Sequence, residues 1–121
     1  MINGILIDVE NLEVREVQIK GKLEDFYRLL KCDLITAPSF DDKHDIIADD
    51  EGLLKGPTTF FQYEDIELAG NCMIVGVNED TGNWISHSLN FEEIKSKITF
   101  HTYIRFNGVV TKIKLWEVLY G

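Results

Sequence analysis

The amino-acid sequence predicts an α+β fold with a mainly antiparallel sheet of about seven short strands and two short helices, closed by a C-terminal β-hairpin. Three observations carry this. Short β-branched and aromatic runs recur between Gly, Asn and Asp turn residues. Two segments, about 22–31 and 91–98, show helical periodicity or helix-start signals. Near the end, Asn107-Gly108 separates two long β-type runs.

Gly4 to Val9 and Val14 to Ile19 flank the polar pair Glu10-Asn11 and are read as an N-terminal hairpin. Leu23, Phe26, Tyr27 and Leu30 then recur at i, i+3, i+4 and i+7, with Glu24 and Asp25 in the first turn and Lys31 at the end. These charges suit the dipole of an amphipathic helix whose stripe lies on a sheet. Asp33 to Ala37 is a strand stopped by Pro38, and Ser39 to Lys43 is read as loop. Ile46-Ile47-Ala48 is a strand running into the acidic turn Asp49-Asp50-Glu51-Gly52, where Gly52 is assigned φ > 0 and Leu53 and Leu54 an anchoring role.

Thr58 to Tyr63 stays open between strand and ordered loop. Asn71 to Val77 is nearly all apolar, as a central strand would be, and Trp84-Ile85-Ser86 returns antiparallel after the turn at 78–82. Asn90 and Glu93 stand at capping-box spacing, and Leu89 and Ile94 at staple spacing, so a helix starts at Phe91. Counting outward from a type I′ turn at Asn107-Gly108 pairs Phe106 with Val109, Ile104 with Thr111, Thr102 with Ile113 and Phe100 with Leu115 on one largely apolar face. The opposite face pairs Arg105 with Val110, Tyr103 with Lys112, His101 with Lys114 and Thr99 with Trp116. That face is basic and aromatic.

The 121 residues suit one domain, divided into a body at 1–97 and a hairpin extension at 98–121. No apolar run approaches the ~20 residues of a membrane span, and the start lacks a basic signal region, so a soluble cytoplasmic protein with no membrane partner is expected. Cys32 and Cys72 sit among apolar residues and are read as reduced, buried thiols. The net charge of −9 is uneven: residues 1–94 hold seven bases against twenty acids, a balance of −13, while residues 95–121 hold five bases against one acid, a balance of +4. An acidic body repels duplex nucleic acid and suits a host protein with a basic surface.

Asp41, Asp42, Asp45, Asp49, Asp50 and Glu51 crowd into eleven residues. No EF-hand register fits them, so no metal or other cofactor is assigned and they are read as a partner-binding acidic loop. The sequence contains no Gly-x-Ser-x-Gly, Cys-x-x-Cys or His-Glu-x-x-His motif, and no catalytic residues are assigned. Ser86-His87-Ser88 puts a base beside hydroxyls, but strand neighbours point to opposite faces, so His87 does not serve Ser86. His44 and His101 are taken as surface or structural residues. Tyr103, Arg105, Lys112, Lys114 and Trp116 combine phosphate donors with stacking rings, the ingredients of an alternative site for a nucleotide or another phosphorylated small molecule. Edge strands at either hairpin leave a homodimer open.

The segments Asp49 to Pro57, Ala69 to Gly76, Thr81-Gly82 and Ser88 to Ile94, with Gly4 to Asp8 and the Leu23 to Leu34 region, resemble a domain-of-unknown-function family of small proteins from phages, prophages and conjugative elements. The resemblance spans residues 1–97 and includes an Asp-Glu-Gly-x-x-Lys-Gly signature. Thr58-Thr59-Phe60-Phe61 departs from the polar segment that commonly follows that signature, and the basic hairpin lies beyond the shared region. No catalytic residues are established for the family. The resemblance implies a small accessory protein of a mobile element, expected to be a non-enzymatic modulator of a host protein, a counter-defence inhibitor among the readings.

Overall fold

In the central strands the side chains alternate between two separate cores, which makes the fold three layers deep. The structure, a computed structural model, describes residues 1–52 and 59–115. Strands β1 (Ile2–Asp8), β2 (Glu13–Ile19), β3 (Ile35–Thr36), β4 (Ser39–Asp41), β5 (His44–Asp49), β8 (Cys72–Val77) and β9 (Trp84–Ile85) form one antiparallel sheet in the order β2-β1-β8-β5-β3, with β4 also on β5 and β9 on β8. Strands β6 (Phe60–Tyr63), β7 (Ile66–Ala69), β10 (Ile98–Phe106) and β11 (Val109–Lys114) form a second sheet in the order β11-β10-β6-β7.

Ile5, Ile7, Ile46, Ala48, Cys72 and Ile74 face the second sheet and pack with Phe61, Ile98 and Phe100. Their neighbours Leu6, Ile47, Met73 and Val75 face the other way, onto Phe26 and Leu30 of helix α1 (Leu23–Leu30). A period of two with both faces buried explains why 71–77 reads as one continuous apolar run. The expected central strand is therefore β8, between β1 and β5.

Both helices form where expected. Asp25 accepts hydrogen bonds from the backbone N–H groups of Lys20, Gly21 and Lys22, which satisfies the α1 entry. Of the predicted stripe, Phe26 and Leu30 are buried while Leu23 is exposed. Helix α2 (Phe91–Lys97) is capped by Asn90, whose side chain accepts from Glu93 N–H at 3.1 Å, and Ile94 is buried with Leu89 packed on the same core.

Eleven strands form among the described residues, more than the seven expected. Ser39–Asp41, read as loop, is β4; the undecided segment holds β6, which pairs with β7, a strand not expected from the sequence. Short pieces such as β3 and β4 lack an alternating pattern of their own and exist because β5 offers an edge to pair with. The C-terminal turn has φ +50° at Asn107 and +79° at Gly108, as a type I′ turn requires, and the register from Phe106↔Val109 to His101↔Lys114 follows the count. The expected Phe100–Leu115 pair is a correction. β11 ends at Lys114, Phe100 pairs with Phe61 of β6, and Leu115 packs on the core. The Thr99–Trp116 pair lies outside the described residues, as do Leu53 and Leu54. Gly52 does not take a positive φ. A Cβ there would lie 3.1 Å from the Ala69 carbonyl oxygen and 3.3 Å from that of Asp49, so close approach is what suits glycine.

Candidate functional site

Strand β5 divides the acidic cluster. Asp41, Asp42 and Asp45 lie at its start and Asp49, Asp50 and Glu51 at its end, about 15 Å of extended chain away. Much of the set is also engaged within the fold, by backbone or side-chain donors. Asp41 accepts from Lys43 N–H at 2.8 Å, Asp49 from Glu51 N–H at 2.9 Å, and Asp45 from the Trp84 indole N–H at 3.0 Å. Asp42 and Asp50 are exposed. No group of three or more potential metal ligands is assembled among the described residues.

At the start of β5 a second set of exposed carboxylates joins the first. Val77 N–H donates to the Lys43 carbonyl at 2.8 Å, which ties the β4–β5 turn to the β8–β9 turn. Glu79 and Asp80 on that turn are exposed and, with Lys43 and Ser88, line a shallow cavity of about 370 Å³. Asp41, Asp42, Glu79 and Asp80 thus share one end of the sheet.

Folding also creates an arrangement that the sequence did not show. His44 Nδ1 lies 2.8 Å from Asp41 Oδ1, and its Nε2 lies 3.3 Å from Ser88 Oγ. The three residue types are those of a hydrolase triad. However, the Ser88 backbone N–H donates to the same Nε2 at 3.1 Å. That bond makes Nε2 the acceptor and leaves Nδ1–H to donate to Asp41. A neutral imidazole has one ring lone pair, and the amide already occupies the one a serine would need. His44 is buried, and its ring acts as a clasp between β5 and the segment before α2. Burial opposes ionisation of Asp41, but the Lys43 N–H and His44 outweigh it and hold the carboxyl below its usual range. The Asp-Asp-Lys-His spacing was visible in the sequence; Ser88, 44 residues away, had no local signal.

On the outer face of the second sheet, Tyr103 and Lys112 do not project freely. The Tyr103 hydroxyl donates to Glu67, Lys112 donates to Gln62, and the buried His101 faces the same Glu67 carboxylate while stacking on Phe60. The Tyr103 hydroxyl bond leads, with His101 and Lys112 adding, in keeping Glu67 ionised to lower pH despite the cost of desolvation. A phosphate approaching Lys112 would meet the Glu67 carboxylate, whose charge already interacts with that lysine. Glu67 was missed because β7 was not assigned, and Gln62 because its segment stayed open between strand and loop; His101 was placed on this face but without its Glu67 partner. Trp116 lies outside the described residues.

The distal half of the hairpin stands apart from both cores. Ile104, Phe106, Val109 and Val110 are exposed, Phe106 at 74%. At its base a groove of about 730 Å³ opens between β2 and β10, lined by Leu12, Glu13, Val14, Arg15, Lys95, Ile98 and Phe100 among others.

Cys32 and Cys72 are buried and not joined in a disulfide, and burial above all pushes the Cys72 thiol far up. No helix among the described residues is long and apolar enough to cross a membrane.

These features define a small α+β protein with a two-sided antiparallel sheet, a split acidic surface and a projecting hairpin. The chain belongs to the family described as Domain of unknown function (DUF3846), whose model matches residues 2–99. The match ends at Thr99, so nearly all of the hairpin lies beyond it. No curated protein and no solved structure matches the chain.

Proposed function

We propose that the protein is a non-enzymatic accessory protein of a phage or mobile element that binds a basic surface of a host protein and modulates it, as a counter-defence inhibitor would. The observation that carries this reading is the carboxylate end of the first sheet. There two tied turns expose Asp41, Asp42, Glu79 and Asp80 around a single base, Lys43. With −13 over residues 1–94, this end attracts a basic partner from a distance and gives the encounter an orientation. The His44 clasp favours binding over chemistry, since the one ring nitrogen positioned to activate Ser88 is already engaged. Two buried thiols outside any disulfide suit a reducing cytoplasm.

The test is a triple charge reversal, Asp42→Lys, Glu79→Lys and Asp80→Lys, which spares Asp41, Asp45 and Asp49 and the backbone they hold. Affinity capture from a host lysate should recover a basic protein with the native chain and lose it with the variant. Recovery of the same protein at equal yield by both would overturn the reading.

A further inference from the structure

We propose that the face of the β10–β11 hairpin left exposed among the described residues is a homodimer interface, covered by the same face of a second copy of this chain across a two-fold axis. This goes beyond the acidic-surface reading and does not depend on it.

Ile98, Phe100, Thr102, Ile104 and Phe106 alternate onto one face of β10. The first two are buried against the body, Thr102 is half-buried, and Ile104 and Phe106 are 48% and 74% exposed. On β11 the same face carries Val109, Thr111 and Ile113, set opposite Phe106, Ile104 and Thr102. The core-facing side of the second sheet therefore continues past the end of the core, with nothing from the described chain beneath it. Its exposed apolar residues Ile104, Phe106 and Val109 present roughly 300–400 Å² per copy, within the range in which such patches mark interaction sites and short of the ~800 Å² per partner of a standard interface.

Charge selects the occupant. Thr102, Ile104, Phe106, Val109, Thr111 and Ile113 include no ionisable group, so a strongly charged partner surface would be desolvated there without compensation. Arg105, Lys112 and Lys114 all lie on the opposite face by the observed register. Two copies stacked face to face keep these cations outward, and from the hairpins themselves bury apolar and threonine side chains, as in paired sheets about 10 Å apart. Edge-to-edge pairing of two β11 strands would instead bring their lysines into register, which is unfavourable.

Geometry supplies the remaining area. With the two hairpins antiparallel about the axis, the Phe106–Val109 tip of each lies over the base of the other, about 23 Å along the strand. That base is where the groove opens, and its Leu12, Val14, Ile98 and Phe100 offer each tip apolar contacts on its partner, with Glu13, Arg15 and Lys95 also in the lining. The contact is isologous, and closes after two copies.

Sedimentation equilibrium of the full chain at about 100 μM should give a dimer, with Phe106→Asp and Val109→Asp each weakening association by at least about 100-fold. Arg105→Glu, on the other face, should leave the dimer unchanged. Both side chains replaced by Asp are exposed, and circular dichroism confirms that each variant folds; the two variants keep the test open if one does not. A monomeric native chain, including one that captures a foreign protein through this face, would overturn the proposal. So would a dimer indifferent to both Asp substitutions.

Discussion

Strands β8 and β10 are both rich in apolar side chains, but they meet opposite fates. β8 lies between β1 and β5 with a layer on each face, and its residues from Cys72 to Val75 are fully buried. β10 has Ile98, Phe100 and His101 buried and is largely exposed from Tyr103 onward. The difference lies in neighbours. β6 pairs with β10 only as far as His101, and beyond that point β11 is the only strand beside it among the described residues. An apolar strand is stabilised by what covers it, and the hairpin tip extends beyond its cover. The family boundary falls close to this division, with residues 2–99 inside and the hairpin outside.

The largest expected effect contrasts Phe61, fully buried between the sheets, with Phe106 at the tip. Phe61→Ala should cost about 3–5 kcal/mol in urea unfolding, whereas Phe106→Ala, measured at a concentration where the chain is monomeric, should stay within about 0.5 kcal/mol. Similar losses at the two sites would erase the distinction between body and tip.

Next comes the clasp. His44→Ala leaves the Ser88 amide and Asp41 without their partner and opens a buried space, a cost of about 2–3 kcal/mol. Ser88→Ala keeps the amide bond and should cost less than about 1 kcal/mol. A fluorophosphonate probe should leave Ser88 unlabelled; specific labelling there would return the Asp41–His44–Ser88 arrangement to the list of active sites.

The hairpin turn should respond locally. Gly108→Ala forces a side chain into φ +79° and should cost about 1 kcal/mol, seen as faster amide exchange at Tyr103 to Lys112 with β8 unaffected. Protection lost equally in β8 would mean that the hairpin unfolds with the body.

The smallest effect per group is the acid limb. Asp8 is opposed by burial, but Asn11 and Arg15 more than compensate and hold its carboxyl below the usual range; Asp41 and Glu67 are lowered too. A depressed folded value means stability that is fully present above the unfolded carboxylate pKa of about 4 and lost as pH falls through the folded values. Asp8→Asn should therefore flatten the decline below about pH 4 in thermal melts taken across pH, while Arg105→Glu on the hairpin leaves the native chain's decline essentially in place.

Much of the fold was legible because its signals act over a few residues. Asn90 and Glu93 mark a helix start wherever they occur, the two positive φ angles at Asn107 and Gly108 set a hairpin register by counting, and the run 71–77 is too apolar for anything but an interior strand. What was missed concerned elements that exist only through a neighbour. β4 forms on β5, and β6 and β7 supply Gln62 and Glu67, which engage Lys112 and Tyr103 from 50 and 36 positions away. The candidate site divides in the same way. Its charge balance, −13 against +4, belongs to the sequence because charge is a sum over residues. Only tertiary structure separated six neighbouring acids to the two ends of one strand, brought Glu79 and Asp80 beside Asp41 and Asp42, and closed His44 onto Ser88. Those arrangements depend on which strands pair, a choice made by burying both faces of β8 and not by any local pattern.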